Sequence, residues 1–202
     1  MPGKSSSNAL SIVLYLFLTL AAFVFVFSAF VVPNRIAWFD SMTYFYLPLE
    51  LFVLGLALLL RGSAGRWLRA LLAVILAAGV IFRIADMSAF QVFARPFNPV
   101  FDTYLLADGF HFLTTSFGQV AAIGVAVLLC VLVFGIVLIS FLSLARLHQV
   151  LQLRPRVATV MVLAGLLVWG GASSAGWPRA SRYVYDHFAM HIANTITSIQ
   201  DL

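Results

Sequence analysis

The chain has 202 residues, of which 63% are hydrophobic and 9% charged, against roughly 25% charged in an average soluble domain. A soluble core cannot absorb that much apolar surface, so the excess must face lipid and a soluble globular fold is excluded. The net charge of +5 comes from twelve Lys and Arg scattered between apolar runs. They form no basic stripe with interleaved aromatics, so the charge is read as topology and not as a nucleic-acid surface.

The first apolar run covers residues 9–32, after a polar leader with Lys4 and Ser5 to Ser7. At about 24 residues it exceeds a signal-peptide core and suffices for ~30 Å of hydrocarbon, so it is read as an uncleaved signal anchor. Pro33 and Asn34 end it. Further runs at 44–60, 67–87, 118–144 and 157–172 predict an all-α integral membrane fold of five transmembrane helices. Arg61 to Arg66 is expected to be a tight polar turn, making the second and third helices a hairpin. In the segment Ser88 to Phe117, Asn98 suits an N-cap, Pro99 a first helical residue and Gly109 a stop. That predicts a short interfacial helix between helices three and four, with Val100, Phe101, Tyr104 and Leu105 on its apolar side. Ser116 and Gln119 have capping-box spacing at the start of the fourth span, and Pro155 suits the first turn of the fifth.

Gly165 and the small residues from Gly170 to Gly176 suit close helix packing. Ser173 and Ala175 alternatively offer a signal-peptidase-like cleavage site. Beyond them Tyr185, Phe188, Ala189, Ile192, Ile196 and Ile199 recur at spacings of three and four, which predicts an amphipathic C-terminal helix. The single cysteine, Cys130, lies in an apolar run and excludes a disulfide within the chain.

Lys and Arg positions set orientation. With the N-terminus inside, the inner segments hold Lys4, Arg61, Arg66, Arg69, Arg146, Arg154 and Arg156. The outer ones hold Arg35, Arg83, Arg95, Arg179 and Arg182 together with all seven acids, giving +7 inside and −2 outside. The N-terminus is therefore expected in the cytoplasm and the C-terminus outside.

Charges at membrane depth are the best functional candidates, because each is costly there. Glu50 on the second span and Arg83 on the third are placed to pair, with Asp86 one turn beyond. The alternatives are a hairpin lock and a lipid-headgroup or substrate contact. Arg95, Asn98 and Asp102 surround two prolines, with Asp108 and His111 following; an arginine there can hold a phosphate or a carboxylate of another domain. The plainer reading is a cap with solvated interface charges. His187 and His191 have i, i+4 spacing, a weak pattern for a metal without a third ligand. No nucleophile with a base, phosphate loop or paired-carboxylate motif is present, so no catalytic residue is assigned.

The runs Arg83-Ile84-Ala85-Asp86-Met87, Arg95-Pro96-Phe97-Asn98-Pro99 with Asp102, and Ala107-Asp108-Gly109-Phe110-His111 resemble the N-terminal membrane portion of bacterial sulfatase-like proteins. These belong to the alkaline phosphatase superfamily and include lipoteichoic acid synthase and phosphoethanolamine transferases. The resemblance implies a five-helix domain, 1–177, and an outer-side segment, 178–202, leading to an extracytoplasmic catalytic domain. That domain would carry the divalent metal and the nucleophile, neither of which falls in this sequence; this chain itself would hold no cofactor. It would anchor a phospho- or sulfo-ester hydrolase or transferase in the bacterial inner membrane, with membrane lipids and the catalytic domain, in cis or in trans, as partners. The alternative is a self-contained membrane subunit for assembly or transport. Transport is disfavoured by the apolar centres of spans one, four and five.

Overall fold

A computed structural model describes residues 3–33, 47–174 and 180–181. They form helices α1 (Gly3–Val31), α2 (Leu49–Leu58), α3 (Gly62–Phe93), α4 (Asp102–Phe117), α5 (Gln119–Leu153) and α6 (Pro155–Ser174). Two-residue strands β1 (Leu47–Pro48) and β2 (Ala180–Ser181) pair in parallel, Leu47 opposite Ala180.

Among the described residues four helices are long and apolar enough to cross a membrane, residues 10–31 of α1, all of α3 and α5, and 155–172 of α6. Their apolar side chains turn outward: Leu10 is 71% exposed, Val120 87% and Leu167 78%. In water such a surface would collapse or aggregate; in hydrocarbon it is the solvated face. The chain is an all-α protein suited to a bilayer.

Helix contact here rests on close packing more than on hydrophobic burial. Val26 of α1, Leu54 and Leu58 of α2, Ala73 and Leu76 of α3 and Leu144 of α5 form the buried cluster. Helix α6 joins through α2: Gly165 lies against the Phe52 ring and Gly55 against Val162. A Cβ on Gly165 would overlap that ring, so the small residue is required there, whereas Gly170 and Gly171 meet nothing within 4 Å.

Several expected boundaries move. Pro48 is extended, with φ −74° and ψ 132°, so α2 starts only at Leu49 and has 10 residues, about 15 Å of rise; Tyr44 to Tyr46 lie outside the described residues. The connection to α3 is Leu59 to Arg61, because Gly62 turns the chain at φ 84° and the residues after it are helical. Gly65 sits against the Leu60 carbonyl, a contact that a Cβ would block. Helix α5 begins as expected but runs on to Leu153, since Arg146, Gln149 and Gln152 favour helix and Arg146 and Gln152 bond neighbouring elements. Helix α4 neither starts at Pro99 nor stops at Gly109; it runs from Asp102 to the bend at Gly118, φ 87°. Ser116 stays helical, so the capping box with Gln119 does not form and Gly118 leads into α5 without a side-chain cap. Pro155 opens α6 as expected. The amphipathic segment from Tyr185 to Ile199 and residue Ala175 lie outside the described residues.

Candidate functional site

Polar side chains collect at the two ends of the bundle. Along α3, Arg69 and Arg83 are about 21 Å apart at 1.5 Å per residue, with only apolar residues, Ala70 to Phe82, between them.

At the Arg83 end, backbone ends create the demand that side chains meet. Helix α1 stops at Val31, and its last carbonyls have no intrahelical donor. Arg83, 5% exposed, reaches across from α3. Its Nη1 donates to the Val32 carbonyl at 2.5 Å and its Nη2 to the Phe30 carbonyl at 3.2 Å. A cation at a helix C-terminus is also favoured by the helix dipole. One turn on, the fully buried Asp86 accepts the Phe97 backbone N–H on Oδ1 at 2.9 Å.

That bond is possible because the chain doubles back. Helix α3 ends at Ala94 in the left-handed region, φ 54°, which costs a non-glycine residue about 1 kcal/mol. The Phe97 N–H returns to the level of Asp86, about 10 Å back along α3, and its ring comes to 6.4 Å from the Phe82 ring. Arg95 grips Asp102 with two hydrogen bonds, Nη1 to Oδ2 at 3.0 Å and Nη2 to Oδ1 at 2.5 Å. The Asn98 N–H donates to Asp102 Oδ2 at 2.7 Å, and Asn98 Oδ1 accepts the Val100 N–H at 2.9 Å. Asn98 therefore caps the turn before α4 and not the helix itself. The Arg95 guanidinium holds the Asp102 carboxyl below the ordinary carboxylate range; burial opposes this and the Asn98 N–H assists. The same bond raises Arg95.

The structure thus brings together Asp86, Arg95, Asn98 and Asp102 around one returning loop, with Arg83 on the same stretch of α3. Glu50 is half-buried in the first turn of α2, about 12 Å along that helix from Leu58. Asp108 and His111 are exposed on α4 and do not join the loop; the His111 carbonyl accepts the Thr114 hydroxyl at 2.7 Å. Phe101, Tyr104 and Leu105 are also exposed, 45%, 74% and 40%. His187 and His191 lie outside the described residues.

Sequence reasoning missed the polar cluster at the Arg69 end. Here α2 ends, and the side chains of α5 cap it. His148 Nδ1–H donates to the Leu58 carbonyl at 2.6 Å and Gln152 Nε2 to the Leu59 carbonyl at 3.0 Å. Arg69 Nη1 donates to His148 Nε2 at 3.1 Å, and Arg61 Nε to Gln152 Oε1. Arg146 lies 3.7 Å over the Tyr15 ring and donates to the Tyr15 carbonyl at 2.9 Å. The signal available was the i, i+4 pair His148 and Gln152 on a helix continuing past its apolar stretch. The chain matches no protein-family model, no curated protein and no solved structure.

Proposed function

We propose that this chain is the non-catalytic membrane domain of a bacterial sulfatase-like ester hydrolase or transferase, holding the enzyme at the outer face of the cytoplasmic membrane and presenting lipid substrate to it. The observation that carries the reading is the returning loop. Arg95, Asn98 and Asp102 are fixed by hydrogen bonds beside the end of the apolar stretch of α3, where headgroups lie. A fixed guanidinium edge can receive a lipid phosphate or a carboxylate of the catalytic domain.

The proposed topology is N-terminus inside, five passes, C-terminus outside. Its support is the path of the chain. Arg83 bonds the end of α1, whereas Leu58 and the start of α3 lie at the Arg69 end. The end of α1 and the end of α2 therefore lie at opposite ends of the bundle, so the chain crosses it once between Val32 and Leu58. Cysteine at Ser63 should be labelled only from the cytoplasm and cysteine at Asp108 only from outside. Labelling of both from one face would overturn the topology.

The functional test joins the chain to its catalytic domain. Arg95→Ala should lower turnover of a membrane-embedded ester while a small soluble ester is turned over at nearly the unmodified rate. Equal loss on both substrates, or loss on neither, would overturn the substrate-presenting role.

A further inference from the structure

We infer that the cavity at the Arg69 end binds the phosphate of an anionic phospholipid headgroup. The cavity measures about 470 Å³ and is lined by Arg61, Arg66, Arg69, His148 and Gln152. No acid can neutralise it from nearby helix, because the sequence holds no Asp or Glu between Glu50 and Asp86 or between Asp108 and Asp186.

Among the described residues the arginines are oriented without being neutralised. Arg61 and Arg69 each give one N–H to a neutral acceptor, Gln152 Oε1 and His148 Nε2. A guanidinium has five N–H groups, so most of both donor sets remains. His148 can accept on Nε2 while donating from Nδ1 to the Leu58 carbonyl only as the neutral imidazole. It therefore adds no charge and serves to aim Arg69. Arg66 makes no hydrogen bond or ion pair among the described residues. Three converging cations with open donors fit a phosphate, which accepts bidentate bonds from arginine.

The surroundings select a lipid over a free anion. Trp67, beside Arg66, is 79% exposed, and Leu71 and Val74 continue the same face of α3 at 56% and 52%. An exposed tryptophan above an apolar stripe marks the bilayer interface, so the cavity lies at headgroup depth with room for acyl chains below it. Basic pockets between transmembrane helices hold anionic headgroups by this arrangement.

The test uses the detergent-purified full chain, titrated with phosphatidylglycerol, phosphatidylcholine or inorganic phosphate, with bound lipid counted by native mass spectrometry. The first phosphatidylglycerol should bind at least about tenfold more tightly than phosphatidylcholine, and Arg66→Gln should weaken it about tenfold, the scale of one lost charge-assisted bond. Its melting temperature without lipid should be unchanged, since Arg66 holds nothing else in place. Arg154→Gln, at the same end but outside the cavity, should leave the preference intact. Equal weakening by Arg154→Gln would mean diffuse attraction and overturn the site. Equal occupancy by inorganic phosphate would overturn the lipid assignment, as would the absence of any phosphatidylglycerol preference. The readout does not depend on which face of the membrane the cavity occupies, so it can fail separately from the topology.

Discussion

The two ends of the bundle solve one problem with opposite electrostatics. At each end a helix stops and leaves carbonyls that lipid cannot satisfy. Arg83 serves α1, and His148 with Gln152 serves α2. At the Arg83 end the charges then close on the chain itself, Arg95 on Asp102 and Asp86 on the Phe97 N–H. At the Arg69 end they do not close: arginines meet neutral acceptors and a cavity. A closed network builds a rigid scaffold that leaves a ligand only the exposed edge of Arg95, while an open one of a single sign is a receptor for the opposite charge.

The largest effect should come from breaking the closed end at its most buried group. Asp86→Ala leaves the Phe97 N–H without its acceptor and frees the returning loop, at a cost of more than about 2 kcal/mol. Unfolding in detergent should report that loss, and limited proteolysis should cut between Ala94 and Phe101. Asp108→Ala, on the exposed face of α4, should cost almost nothing. Equal stability of the two variants would mean that Asp86 does not hold the loop.

A smaller effect should follow from Asp102, whose partner Arg95 keeps 43% of its side chain exposed. Solvent screening limits the pair to about 1 kcal/mol. The folded carboxyl titrates below its ordinary value of 3.8, so its contribution is fully present above that value and is lost as pH falls through the lower folded one. Hydrogen exchange of the 95–102 amides should be flat at higher pH, after correction for intrinsic exchange, and rise only below about 3.8. In Asp102→Asn the protection should already be reduced at neutral pH, with no acid transition.

Four of the five expected apolar spans were legible because lipid imposes a length and a composition on any crossing helix, whereas the second is a ten-residue helix among the described residues. Charge segregation was legible for the same reason, through Arg61, Arg66 and Arg69 at one end and Asp86 and Asp102 at the other. Local capping rules did worse. Asn98 reads as a helix N-cap, yet that position falls at Phe101, the Asn98 oxygen serves the Val100 N–H two residues on, and Asp102 Oδ2 takes the Asn98 N–H. Gly109 reads as a stop, but a glycine ends a helix only where the chain needs a positive φ, and that bend falls at Gly118. The return of Phe97 onto Phe82 is a tertiary contact made possible by Ala94, a residue with no intrinsic preference for φ 54°. Nothing in the local sequence announces it.

The smallest expected effect asks whether the closed network extends into α2. Glu50 occupies the first turn of that helix, where the dipole favours an acid, and Arg83 is the nearest cation in sequence on the arm that follows the turn, after Arg61, Arg66 and Arg69 at the other end. Arg83 already gives Nη1 and Nη2 to carbonyls of α1, so an added interaction with Glu50 would share a guanidinium and not monopolise it. Coupling between polar groups in membrane proteins averages about 0.6 kcal/mol, and the double-mutant cycle of Glu50→Gln with Arg83→Gln should give a value of that order. Arg83→Gln alone should cost more than Glu50→Gln alone, because it also uncaps α1. Strict additivity would confine the Arg83 network to α1, α3 and the returning loop.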